Sequence, residues 1–398
     1  MDFEVTASRK RPQSLVELSG QDFVVATLKN SIENGRIAHA YLFSGPRGVG
    51  KTSSARILAR SLNCVEGPSI TPCGVCPNCL EIARGNSLDV IEIDGASNTS
   101  VNDIREIKDE VLFSPNSSKF KIYIIDEVHM LSNSAFNALL KTIEEPPPYI
   151  IFIFATTEIH KVPATIRSRC QQFNFRLVDV SEIKRLLEIV CKEMDIKYED
   201  DALYWVARES TGSVRDAYTL FDQIISFSDG HVTLDKIREK LGIIGLDKLN
   251  DLMSLLVEEK IEEAMESFDE VISGGVSVEQ FIIDLAEYLR NILFIVHGIK
   301  KESLLGYTPD RFSTLVLETL NSYQLEWALE EVLKLFREIR YSINPRFELE
   351  LLLSRFSSIR YHIDPKQLLT ELARMKEQLG HAQLSVESNP SGESKKKI

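Results

Sequence analysis

The stretch HAYLFSGPRGVGKTSSARILARSLNC, from His39 to Cys64, restricts the fold more than any other part of the chain. A short apolar run, Ala40 to Ser44, leads into Gly45-Pro46-Arg47-Gly48-Val49-Gly50-Lys51-Thr52, and KTSSARILARSL after it has helical composition. Strand, glycine-rich loop and helix in that order make a P-loop. Its glycines let backbone N–H groups turn inward around phosphate oxygens, and the helix N-terminus adds partial positive charge. Lys51 can reach the outer phosphates, and the Thr52 hydroxyl can ligate Mg²⁺.

Such a loop needs an acidic partner, and KIYIIDEVHM supplies one. Asp126 emerges from an apolar run where a Mg²⁺-holding carboxylate belongs. Glu127 follows it directly and can orient and polarise an attacking water, which separates a hydrolase from a plain binder. Two acids at a strand end can simply be solvated, but behind an apolar strand and beside a P-loop they read as chemistry.

Five β-type runs alternate with helical patterns: Ala40 to Ser44, Asp89 to Ile93, Lys121 to Ile125, Ile150 to Phe154 and Gln171 to Phe175. Strands this apolar are buried on both faces of a parallel sheet, with helices above and below. The EEPPPYI stretch ends a helix near Glu145, because consecutive prolines lack the N–H that would continue it. After Val178 the strand-like runs stop. SEIKRLLEIVCKEMDI, DALYWVARES and SVRDAYTLFDQIIS read as three amphipathic helices, and apolar stripes at Leu249, Leu252, Met253 and Leu256 and from Phe281 to Val296 extend the helical pattern. These stripes read as core packing.

A chain of 398 residues exceeds what one core usually supports. The expected organisation is an α/β domain over 1–178, a small helical domain over 179–242, a larger one over 243–369, and a terminal helix with a disordered polar tail over 370–398. The net charge of -13 is uneven: the first 178 residues hold 19 Lys+Arg and 19 Asp+Glu, so the excess lies beyond them. An acidic chain is a poor non-specific coat for DNA, so any nucleic-acid contact is local or shared among subunits. No apolar run reaches the length of a signal peptide or a membrane span, which predicts a cytoplasmic protein.

Of six cysteines, Cys64, Cys73, Cys76 and Cys79 crowd between the P-loop helix and the second strand. Four thiolates at this spacing can close a tetrahedral zinc site, and a closed site is structural. An iron–sulfur cluster is the rival, since C-x2-C-x2-C also opens a ferredoxin pattern, although no further cysteine follows at three residues. Cys170 and Cys191 stand apart as isolated thiols.

Several segments together carry a resemblance: RKRPQSLVELSGQDFVVATLKN, HAYLFSGPRGVGKTS, CGVCPNC, IEIDGASNTSVNDIREI, IYIIDEVHMLSNSAFNALLKTIEEPP, FATTEIHKVPATIRSRCQQF and GSVRDA. The chain resembles the bacterial DNA polymerase III gamma/tau family, the ATPases of sliding-clamp loaders within the AAA+ superfamily. The motifs run in order to about residue 225, and the cysteine insertion is the most specific of them. The resemblance implies an AAA+ domain with a five-stranded parallel sheet and a zinc module at 64–79, then an all-α lid and an all-α collar. ATP, Mg²⁺ and structural Zn²⁺ are the implied cofactors.

It also implies residue roles. Thr157 matches sensor 1 near the γ-phosphate, with Thr156 as the alternative. Arg169 matches an arginine finger that acts on a neighbouring subunit's nucleotide, and Arg215 matches sensor 2. Arg11, Pro12 and Gly20 match the box near the adenine. Since Arg169 serves a neighbour, a lone subunit is expected to be a weak ATPase. Implied partners are further copies of the chain, delta and delta-prime subunits, the clamp and the backbone of primed DNA, with no membrane.

Asn98-Thr99-Ser100 stands at the family's DNA-facing helix and carries no Lys or Arg, so contact there would rest on amides and hydroxyls; Lys141 is a second candidate. The rival readings are a branch-migration type AAA+ motor and a non-hydrolysing structural loader subunit. Purified protein should be colourless and hold stoichiometric zinc by elemental analysis. A brown protein containing iron and sulfide overturns the zinc assignment.

Overall fold

The computed structural model of the chain describes residues 5–97, 110–363, 368–369 and 372–375. Asn98, Thr99 and Ser100 lie outside the described residues, as does the tail from residue 376. The chain divides into two compact units, Met1–Leu234 and Asp235–Ile398.

The first unit is built on five parallel strands: β1 (Ala40–Ser44), β2 (Val90–Asp94), β3 (Lys121–Asp126), β4 (Ile150–Thr156) and β5 (Gln171–Asn174). Their order is β2-β3-β4-β1-β5, with every pairing parallel. The sheet expected from the apolar runs is present, each strand within about two residues of its expected ends. Side chains alternate between its faces as the strand period requires. Tyr41, Phe43, Ile122, Ile124, Ile151 and Ile153 pack on one side with the P-loop helix (Lys51–Asn63). Leu42, Tyr123, Ile125, Phe152 and Phe154 pack on the other with the helix Asn133–Glu144. Both faces are dry along β1, β3 and β4, which is why these strands read as apolar runs.

Three helices follow, Val180–Glu193, Asp200–Glu209 and Val214–Ile225, close to the three expected. Where strands were expected to stop, Lys197–Tyr198 and His231–Val232 form a short parallel pair. Two residues per strand are too few to show a period in sequence. The segment before the sheet is tied to these helices. The backbone N–H of Thr6 donates to Asp222 Oδ2 at 2.7 Å, and Lys10 pairs with Glu193.

The second unit is helical, with Leu246–Val257, Ile261–Ser273, Val278–Val296, Ser322–Glu338 and Pro345–Phe356 around one apolar core. The stripes at Leu249 to Leu256 and at Phe281 to Ile292 are buried in that core, but Val296, expected to continue the second, is exposed at the end of its helix. Asn250 pins the interior: its Oδ1 accepts from Ser313 N at 2.8 Å and from the Tyr288 hydroxyl at 3.0 Å.

One buried carboxylate shapes the first unit. Asp89, just before β2, is 2% exposed and accepts backbone N–H bonds from Asn116, Ser117 and Ser118 at 2.6, 2.9 and 2.8 Å. Burial alone would raise its pKa, but the three donors outweigh it and hold the carboxyl below its usual value. A depressed folded pKa stabilises the fold above the unfolded carboxylate range, and the gain is lost as pH falls through the folded value. Asp89→Asn should therefore cost about 1–3 kcal/mol near neutral pH. In urea unfolding the gap between parent and variant should narrow on acidification.

Candidate active site

At the carboxyl ends of the strands, β1 passes into the P-loop. Gly50 caps the following helix in a left-handed conformation at φ 101°, which aims the helix N-terminus into the loop. Lys51 is buried, and its ammonium donates to the carbonyls of Gly45 and Pro46 at 2.8 and 2.6 Å. Burial lowers its pKa while Glu127 and Asp126 act to raise it. The Thr52 hydroxyl donates to Asp126 Oδ2 at 2.6 Å, tying the P-loop helix to the tip of β3.

A cleft of about 970 Å³ opens over these groups. Its floor comprises Arg47 to Ser53 with Asp126 and Glu127. One wall is the N-terminal segment, including Arg11, Pro12 and Val16 to Ser19. The opposite wall comes from two helices after the sheet, through Arg185, Leu186, Ile189, Val214, Arg215 and Tyr218. Burial and the charge of Arg56 lower the Arg11 pKa, so the cleft gathers positive charge in partly dry surroundings. Size and lining suit a nucleotide.

Loop and second wall touch directly. Arg215 N donates to Gly48 O at 3.3 Å. Gly48 has φ +74°, and a Cβ there would lie 1.9 Å from Ser213 Oγ. Gly20, expected near the adenine, follows the cleft-lining Ser19 and lies close to Val178, and Gln21 bonds Arg176 through its side chain.

Other expected residues lie apart from the cleft lining. Thr157 sits beyond β4, where its N–H and hydroxyl donate to Glu127 Oε2 at 3.3 and 3.0 Å. Thr156 is fully buried, and its Oγ1 lies 3.0 Å from His129 Nδ1. Arg169 is on the surface, bonded to Thr165 O at 2.7 Å and paired with Glu144 at 2.5 Å. Lys141 is exposed on the helix Asn133–Glu144. Sequence reasoning named Arg215 but missed Arg185, Leu186, Ile189, Val214 and Tyr218 from the two later helices and the Val16–Ser19 segment. It also missed His129, whose position two residues after Glu127 was its one visible signal.

The Cys64, Cys73, Cys76 and Cys79 sulfurs all lie within 4.8 Å of one another. A tetrahedral ion with ~2.3 Å bonds to sulfur needs spacings of about 3.8 Å, so the set fits with small adjustments. Backbone N–H groups of Cys73, Cys76 and Cys79 donate to the sulfurs of Cys64, Cys73 and Cys76, each at 3.4 Å, and at Cys76 burial is outweighed by such donors, which bring its thiol down to about 7. Cys170 and Cys191 are remote from this set, and burial pushes both thiols up to about 12.

Three family models match the chain. They are described as DNA polymerase III, delta subunit, over residues 20–179, DNA polymerase III clamp loader subunit, ATPase lid domain, over 182–230, and DNA polymerase III subunits gamma and tau domain III, over 232–372. DNA polymerase III subunit tau of Escherichia coli (strain K12) is 45% identical over 295 residues, covering 74% of this chain and 46% of its own. DNA polymerase III subunit gamma of Buchnera aphidicola is 41% identical over 295 residues, covering 74% of this chain and 80% of its own. The chain thus spans about half the length of the longer relatives. A solved RuvB branch migration motor of Thermotoga maritima aligns over 63% of this chain and 80% of its own, at a TM-score of 0.45 and 21% identity.

Gly48→Ala should disturb the cleft without touching the Asp126 and Glu127 carboxylates, because the new methyl group displaces Ser213 and strains the turn. Nucleotide affinity should fall at least about tenfold, measured by titration with a fluorescent ATP analogue.

Proposed function

This chain belongs to the DNA polymerase III gamma/tau family, and from that premise we propose that it is the ATPase subunit of a sliding-clamp loader. One observation carries the reading. Lys51, Thr52, Asp126 and Glu127 meet at the cleft floor, whereas Arg169 stands on the outer surface. The chain therefore holds everything for binding ATP and preparing water, but its candidate charge-neutralising arginine faces elsewhere.

In this reading the P-loop amides, with Arg47, Val49 and Lys51, hold the phosphates, while Arg11 and Pro12 border the adenine. Thr52 and Asp126 hold Mg²⁺, which when bound neutralises charge on the β- and γ-phosphates. Glu127 orients a water for in-line attack and takes its proton, and Thr157 senses the γ-phosphate. Arg215 couples the lid to the nucleotide through a helix that already contacts Gly48.

Arg169 completes a neighbour's site. Its pairing with Glu144 is half-exposed, and such pairs are worth about 0–1 kcal/mol, so releasing the guanidinium to another subunit is cheap. ATP binding would draw subunits into a spiral that holds the clamp open for primed DNA, and hydrolysis would release both.

The domains in this proposal are a P-loop domain over 1–178, a lid over 179–242 and a collar over 243–369. Zinc held by Cys64, Cys73, Cys76 and Cys79 is structural, since four thiolates leave no open position. Delta and delta-prime subunits, further copies of this chain, the clamp and the primed-DNA backbone are the proposed partners. No helix among the described residues is long and apolar enough to cross a membrane.

Clamp and primed DNA should stimulate ATP consumption by the reconstituted loader. Arg169→Ala should bind nucleotide normally yet lose about 10³-fold or more of that stimulated turnover. Normal turnover by this variant, or equal rates for a diluted monomer and the assembly, refutes the role in trans.

A further inference from the structure

Glu127 is held by more than its sensor threonine. Its backbone is left-handed, φ 42° and ψ 44°, an unfavourable conformation for a glutamate that its surroundings must enforce. The next turn, Val128–Met130, folds His129 back beneath it, and the imidazole is only 6% exposed. His129 Nδ1 lies 3.3 Å from Glu127 Oε2, the same oxygen that receives both Thr157 donors. On the far side of the ring, Nε2 lies 3.3 Å from Glu158 Oε1.

Nδ1 has a nearer neighbour as well, Thr156 Oγ1 at 3.0 Å, so an N–H on Nδ1 lies between that hydroxyl and the Glu127 carboxylate. An N–H on Nε2 lies toward Glu158. Glu158 is itself anchored from outside by Lys161 at 2.8 Å and His160 at 3.4 Å, and its N–H donates to Thr156 Oγ1 at 3.0 Å. The ring is therefore wedged between β3 and the segment after β4. Nothing in the hydrolytic roles assigned above uses it.

We infer that His129 is a positioning residue, which fixes the Glu127 carboxylate in the orientation from which it addresses water. The inference rests on the proposed role of Glu127. An orienting bond to the general base changes how often that base is correctly aimed, so its loss appears in kcat rather than in substrate binding. Glu158 steadies the ring from behind.

Two substitutions separate the halves of the contact. The amide nitrogen of asparagine falls near the position of Nδ1, that of glutamine near Nε2. His129→Asn therefore keeps a donor toward Glu127, His129→Gln keeps one only toward Glu158, and His129→Ala keeps neither. The assay is steady-state ATP hydrolysis by the chain reconstituted with delta, delta-prime, clamp and primed DNA. His129→Ala and His129→Gln should lower kcat about tenfold with KM and affinity for a fluorescent ATP analogue within about twofold, while His129→Asn stays within about threefold of the parent.

Thermal melting identifies variants that fold as the parent does, and if the alanine variant does not, the Asn-to-Gln comparison decides alone. In a Glu127→Gln background His129→Ala should have no further effect. If Glu127→Gln leaves turnover normal, the role of Glu127 itself is wrong. If Glu127→Gln abolishes turnover but His129→Gln matches the parent, or His129→Asn is as slow as His129→Gln, the positioning role alone is overturned.

Discussion

Because all five strands of the first unit run the same way, their carboxyl ends fall along one edge, and the site is assembled from those ends. β1 ends in the P-loop, β3 in Asp126 and Glu127, and β4 at Thr156 with Thr157 just beyond. The pairings Ser44↔Thr156 and Ile125↔Phe154 fix how far each strand reaches. What fixes the pairings is packing on both faces, since a slip of one residue would move every side chain from one packed layer to the other. Packing of Phe43, Tyr123 and Phe152 thus sets the distance between Thr52 and Asp126 as surely as the hydrogen bond that joins them.

Electrostatics divide the labour. Within the cleft, Lys51 and the helix N-terminus contribute positive charge, and Asp126 and Glu127 contribute carboxylates beside them. Arg169 is not among the residues that line the cleft and pairs instead with Glu144 on the surface. With the role in trans proposed for Arg169, a site split in this way would couple turnover to assembly. The cysteine set stands on the far end of the P-loop helix, with Cys64 as its C-cap. It closes the excursion from Cys64 to Cys79 by local bonds, where few apolar side chains are available to do so.

How much could be read without coordinates varied with the range of the contact. The P-loop, the strand ends and the cysteine spacing were legible because each is a local pattern whose chemistry depends on neighbours in sequence. The helices after Val178 were legible as helices, but their contribution of Arg185, Leu186 and Tyr218 to the cleft was not, because periodicity separates an inward face from an outward one without naming what it faces. Arg169 was legible only through resemblance, and its partner Glu144 depends on where a helix end meets a loop 25 residues on. His129 looked like any histidine after an acidic pair.

The amino-acid order by itself determined a parallel α/β sheet, a phosphate loop with its acids and a cluster of thiols, because apolar runs, glycine conformations and ligand spacing act over a few residues. Only the tertiary structure decided that Glu127 answers to both Thr157 and His129, and that the cleft is walled by segments from before and after the sheet. Those contacts join parts of the chain whose nearness depends on strand pairing and helix docking, and no local pattern encodes that nearness.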